Sequence, residues 1–180
     1  MLYFASFIFS LIAFWNVQEQ GAITVHYFDF INTSTVNIPF DFRVDALSSL
    51  FLLVITGVGT LIHLYSSAYM HEESAPHYAR YFAYLNLFIF SMLLLVLGDN
   101  YVIMFIGWEG VGLCSYLLIG YWFTNTTYNN AAKKAFIMNR IGDLGFLLDI
   151  FWLIVKLGTV SYGEVLTAES LAKLSSADIN

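Results

Sequence analysis

Apolar residues fall in long blocks, at 1–15, 44–70, 79–97, 101–123 and 131–157, separated by short polar interruptions. Four of the blocks approach or exceed the roughly 20 residues needed to cross the hydrocarbon of a bilayer, and the first is shorter. The pattern predicts five transmembrane helices, at about 1–16, 44–70, 79–97, 101–123 and 131–157. The first block lacks the basic flank and small-residue cleavage site of a signal peptide, and reads as a helix whose beginning has been cut off.

Between the first two blocks the period changes from helical to twofold. Val25, Tyr27, Phe28 and Phe30, then Val36, Ile38, Phe40 and Phe42, flank the turn formers Asn32, Thr33 and Ser34. This predicts a β-hairpin over about 23–42, outside the hydrocarbon, with Pro39 near its edge. The remaining connections are short, so consecutive helices are expected to be antiparallel neighbours. The tail, 158–180, is polar, and Thr167 is placed to cap a short helix carrying Leu171 and Leu174. The fold class is therefore an all-α polytopic membrane protein, a helical-bundle fragment with a small extramembrane hairpin, read as one partial membrane domain over 1–180.

Composition agrees: 59% of residues are hydrophobic and 11% charged, against about a quarter charged in soluble domains. The net charge of −6 is scattered, and no basic cluster could track phosphates, so nucleic acid is not an expected partner; the lipid bilayer is. The single cysteine, Cys114, excludes an intrachain disulfide or a CxxC motif. No nucleotide, haem or metal motif is present, so neither a cofactor nor a metal is expected in the chain itself. Loop charges discriminate orientation only weakly; residues near the helix ends put the Arg80 and Lys133 loops on the cytoplasmic or matrix side.

The chemistry is expected where charge is expensive. Glu109 lies eight residues inside the fourth helix, about 12 Å along its axis and close to the bilayer midplane. A carboxylate there costs about 2.5–3.5 kcal/mol, so it is either protonated or matched by a cation, and both describe a group able to exchange a proton. The competing reading is a structural, hydrogen-bonded Glu. Gly107, Gly110 and Gly112 around it admit a neighbouring backbone or water. On the fifth helix Lys133 and Arg140 share a face, and Asp143 is within reach of Arg140; an orienting salt bridge and a proton-relay pair are both open readings. Asp149 points elsewhere and has no evident partner. His63, inside the second helix, has an unperturbed pKa suited to relay, though a packed histidine is the alternative. Asp45 stands at a helix start, Lys134 and Lys156 can snorkel, and Tyr69, Tyr101, Trp122, Phe123 and Trp152 suit interfacial belts.

The run from Gly107, Trp108, Glu109, Gly110, Val111 and Gly112 through Leu113, Cys114, Ser115 and Tyr116 to Gly120 resembles the signature of the large antiporter-like subunit of respiratory NADH:quinone oxidoreductase, complex I. Similar stretches are Val44 to Ser48, Ile62 to Ser66, Phe82 to Phe88, Lys134 to Phe136 and Asn139 to Asp143. The resemblance implies a proton channel of inverted five-helix repeats with broken helices, driven by redox chemistry elsewhere. It implies NADH, FMN, iron-sulfur clusters and quinone in other subunits, and other membrane subunits of the complex as partners. It carries proton-translocation roles to Glu109 and Asp143, and less directly to Arg140 and His63. In that family the acid matching Glu109 pairs with a lysine on the helix after the last one here, which would fall beyond Asn180. Asp149 matches no charged position of the family.

The runner-up is a subunit of a multisubunit cation/proton antiporter, which shares the fold and the acid-plus-cation chemistry. A purely structural membrane subunit is a third reading, against which the mid-helix Glu109 argues. The expected location is an inner membrane, with a bacterial source favoured over a mitochondrial one.

Overall fold

A computed structural model describes residues 2–33, 36–167, 170 and 172. Helix α1 spans Leu2–Gln20, strands β1 Ile23–Asn32 and β2 Asn37–Val44 follow, and helices α2 Ala46–Tyr69, α3 Ala75–Leu97, α4 Tyr101–Ile119, α5 Thr126–Leu157 and the short α6 Tyr162–Val165 complete the order. The boundaries depart from the hydropathy blocks because capping chemistry, not hydropathy, sets helix ends. Helix α1 runs on through polar Gln18 and Glu19 until Gly21 turns with φ of +83°, a conformation that costs a glycine little. Asp45, outside α2, accepts from the Ser48 amide at 2.8 Å while the Ser48 hydroxyl takes the Asp45 amide at 2.7 Å, a reciprocal capping box. Pro76 in the first turn of α3 and Asn125 capping α5 start both helices earlier than their apolar residues do. Helix α4 stops at Ile119, before Trp122 and Phe123.

Among the described residues three helices, α2, α3 and α4, are long and apolar enough to cross a membrane. The expectation of five spans is corrected to that extent. Helix α5 carries Lys133, Lys134, Arg140, Asp143, Asp149 and Lys156 along its length, and the polar end of α1 dilutes its apolar residues.

Successive helices pack as antiparallel neighbours, and small or hydroxyl residues mark the closest approaches. The Thr56 hydroxyl of α2 donates to Ser10 of α1 at 3.1 Å, and Ser66 meets Tyr81 of α3 at 3.2 Å. A methyl group at Gly107 would lie 2.4 Å from the Leu95 backbone nitrogen, and one at Gly110 would lie 2.5 Å from the Ser91 hydroxyl. These glycines bring α3 and α4 into near contact of backbones. Gly112, by contrast, has nothing within 4 Å of the same position.

The hairpin lies over one end of the bundle. Strand β1 pairs antiparallel with β2, with irregularities between His26 and Phe28 and between Asp29 and Ile31. Ile38 of β2 packs in a small core with Ile150 and Val160, bordered by Tyr101, Val102 and Phe105. Asn100, 1% exposed, fastens this end: its carboxamide donates to the Pro39 carbonyl at 2.8 Å and its oxygen accepts from the Val102 and Ile103 amides. Much apolar surface faces outward, including Leu61, Leu64 and Val155 at 65%, 70% and 80% exposure. Outward apolar surface of this extent is what lipid or neighbouring helices cover. Past α6, Thr167 accepts from the Ser170 amide, a capping contact, while Leu171 and Leu174 lie outside the described residues.

Candidate functional site

Antiparallel packing of α4 and α5 carries Glu109 to the level of Arg140. The guanidinium Nη1 of Arg140 forms an ion pair with Glu109 Oε2 across the interface, and the same Nη1 lies 3.5 Å from Asp143 Oδ2 on its own helix. One cation thus sits between two carboxylates. Among the described residues the cation facing Glu109 is Arg140, a pairing that sequence spacing did not supply because the two residues are on different helices.

Two further groups complete the arrangement. Trp108 donates from its indole N–H to Asp143 Oδ1 at 2.8 Å, and the Arg140 guanidinium lies 4.5 Å from the Phe136 ring centroid, within cation–π range. Asp143 is nearly buried, whereas Glu109 and Arg140 retain partial exposure. Neither Trp108 nor Phe136 was singled out from the sequence as part of the site. The signal available for Trp108 was its place beside Glu109 on a helix that must meet α5.

With both acids ionised the triad has one negative charge in excess, and a single proton makes it neutral. Such a set can take up and release a proton with small motions of a flexible guanidinium. A half-open cavity of about 500 Å³ adjoins it, bordered by Trp108, Gly112, Ser115, Asn139 and Asp143. The open side of Gly112 faces space rather than a helix, so of the three glycines two serve close packing and one leaves room.

The other candidates lie elsewhere. His63 is buried where α1, α2 and α3 meet, with Nδ1 2.8 Å from the Gly59 carbonyl and its ring 3.8 Å from Tyr3. Its Nε2 is buried without a hydrogen-bond partner among the described residues. None of these contacts joins it to Glu109. Asp149 is exposed on α5. Cys114 is a buried free thiol.

At the hairpin end, Arg43 stands between Asp45 at 3.9 Å and Asp99 at 3.6 Å. Ser48 hydrogen bonds hold the Asp45 carboxyl below the usual carboxylate range, whereas burial pushes Asp99 up. Burial also raises the Tyr162 phenol, which donates to Met104 Sδ at 3.1 Å. At the opposite end Tyr121, 3% exposed, donates to the His77 carbonyl, and Arg80 lies over the Tyr121 and Phe123 rings. Trp122 and Phe123 are exposed there, as an interfacial belt requires.

Comparison with known proteins bears on what this arrangement belongs to. The model for "NADH-Ubiquinone oxidoreductase (complex I), chain 5 N-terminus" matches residues 30–82, and that for "NADH:quinone oxidoreductase/Mrp antiporter, TM" matches residues 98–178. The chain is 54% identical over 136 residues to NADH-quinone oxidoreductase subunit L of Campylobacter jejuni, covering 74% of this chain and 22% of the relative. It is 50% identical over 146 residues to subunit L of Mycobacterium tuberculosis, covering 81% and 23%. It is 43% identical over 171 residues to NADH-ubiquinone oxidoreductase chain 5 of Phytophthora infestans, covering 94% and 26%. The chain therefore spans about a quarter of the length of these curated relatives. Its fold is similar to part of the Mrp complex from Dietzia sp. DQ12-45-1b, with a TM-score of 0.74 and 23% identity over 96% of this chain and 19% of that one. The two adjoining family models together take in most of the chain, and relatives named subunit L and chain 5 align across it: the chain belongs to the family of the large antiporter-like membrane subunit of NADH:quinone oxidoreductase, complex I.

Proposed function

We propose that this chain supplies part of a proton path in a proton-translocating NADH:quinone oxidoreductase, with Glu109 as the loading carboxyl and Arg140 and Asp143 as its electrostatic partners. The observation that carries the reading is the single Arg140 guanidinium set between two carboxylates beside a cavity, facing the middle of the apolar helix α4. An intramembrane acid with a movable counter-charge is the minimum apparatus for alternating proton uptake and release. His63, buried with one ring nitrogen unpaired among the described residues, is a candidate relay at a separate helix junction.

Electron transfer from NADH to quinone, through FMN and iron-sulfur clusters, belongs in this reading to other subunits, and the chain couples that chemistry to proton movement. Its partners are other membrane subunits of the complex and the lipid bilayer, and its location is an inner membrane, that of a bacterium being favoured over that of a mitochondrion. A cation/proton antiporter subunit is the second reading, supported by the description of the second family model and by the Mrp-like fold. Company distinguishes them: copurification with quinone-site and iron-sulfur subunits favours the first, with antiporter subunits the second.

The experiment is NADH-driven proton uptake measured beside NADH oxidation, in membrane vesicles carrying Glu109→Gln in the complete protein. Oxidation that persists while uptake falls supports the path through Glu109. Unchanged uptake makes Glu109 structural and removes the central assignment.

A further inference from the structure

The triad presents two acids to one cation, and the geometry distinguishes them. Both oxygens of Asp143 face donors: Oδ1 accepts the Trp108 indole N–H at 2.8 Å, and Oδ2 lies 3.5 Å from Arg140 Nη1. The indole nitrogen and the guanidinium only donate, and a hydrogen bond or a cation aimed at a carboxyl favours its ionised form. Glu109 meets Arg140 through Oε2, which leaves Oε1 as a place for a proton. The helix packed on the other side of α4 offers Ser91 and Leu95 and no titratable group at this level. Lys133 is seven residues before Arg140 on α5, about 10 Å along the axis. Among the described residues, the charges at this level are therefore Glu109, Arg140 and Asp143.

We infer that Trp108 is a positioning residue for proton loading: its indole N–H holds Asp143 as the anion, so that the exchangeable proton resides on Glu109. This rests on the proposed reading of Glu109. The ring itself is half exposed, so its N–H is spent on Asp143 rather than on holding the ring in a core. Movement is left to Arg140, the one member with a long flexible stem.

The test uses the complete protein in its complex, in vesicles, with uptake followed across pH. W108F keeps an aromatic ring and removes the donor. It is expected to retain NADH oxidation and to move the pH midpoint of proton uptake upward by about one to two units, the scale of one hydrogen bond to a charged group. The displacement is expected to vanish when W108F is placed in a D143N background. It is also expected to be absent in F146L, which disturbs the edge contact with the Trp108 ring, at 6.2 Å between centroids, without removing the N–H. A native midpoint in W108F, the same displacement in the D143N background, or an equal displacement in F146L overturns the inference.

A second measurement needs no Trp108 variant. In the infrared spectrum of the native site the protonated-carboxyl band is expected to shift when the glutamate carboxyls are carbon-13 labelled and to stay in place when the aspartate carboxyls are, and the reverse overturns the inference. Loss of uptake in E109Q with no effect of W108F would remove the role of Trp108 alone. Normal uptake in E109Q would remove the underlying reading, and this inference with it.

Discussion

Arg140 on α5 reaches across to Glu109 on α4, so that a carboxylate in the middle of an apolar helix has its counter-charge on the neighbouring helix. The pair is held laterally by packing. Tyr116 of α4 lies 5.2 Å from Phe136 of α5 on one side, and Phe105 lies 5.4 Å from Phe146 on the other. Removing the cation tests what it does. Arg140→Gln leaves a carboxylate facing hydrocarbon at a cost of about 2.5–3.5 kcal/mol, relieved only by protonation. NADH-driven uptake is expected to fall at least about tenfold, a difference of ~1.4 kcal/mol in the barrier, with a lower thermal unfolding temperature in detergent. Arg140→Lys, which keeps the charge without the forked geometry, is expected to fall between.

The α3–α4 contact gives a prediction about space. Gly107→Ala would put a methyl group 2.4 Å from the Leu95 nitrogen and 2.6 Å from its Cα, both backbone atoms that cannot turn aside. The helices must separate, and overpacking of this kind costs about 1–3 kcal/mol. Gly112→Ala meets nothing within 4 Å and is expected to leave stability within about 0.5 kcal/mol of native. Thermal unfolding of the two variants side by side checks the contrast.

Asn100 performs two tasks with one side chain. Asn100→Ala removes the α4 cap and strands the Pro39 carbonyl, for an expected loss of about 2–3 kcal/mol. Asn100→Asp keeps the cap acceptor but sets a buried carboxylate oxygen against the Pro39 carbonyl, so it is expected to lose at least as much. Protease accessibility of the hairpin, which depends on the Pro39 link and not on the cap, should rise in both.

Asp45 predicts a pH dependence outside the membrane. Its folded carboxyl titrates below the unfolded value of 3.8, chiefly because the Ser48 amide hydrogen bond favours the anion. The stabilisation is therefore present above pH 3.8 and is lost as pH falls through the lowered folded value. Asp45→Asn keeps a capping acceptor without the charge. The native protein is expected to exceed it in unfolding temperature at pH 7, and the difference should close at strongly acid pH.

The helices were legible because hydropathy is a local property, and so was the hairpin, whose twofold alternation cannot sit on a helix. The ends were less so. Asp45, Pro76 and Asn125 decide where helices begin, while the apolar blocks register only where lipid-compatible residues begin. By length and composition three of the five expected spans are found among the described residues, for a related reason: α5 reads as one continuous helix but holds too many charges to qualify by itself.

For the candidate site, sequence alone determined the inventory: an acid in the middle of α4, and an arginine and an acid one turn apart on α5. Helical period places Arg140 beside Asp143 because both belong to one rigid element. Only the tertiary structure decided that Arg140 also serves Glu109, that Trp108 engages Asp143, and that His63 stands apart. Those relationships depend on the rotation and axial offset of one helix against another. Close contacts such as Gly107 against Leu95, and the ring pairs along α4 and α5, set that offset, and no periodicity within a single helix contains it.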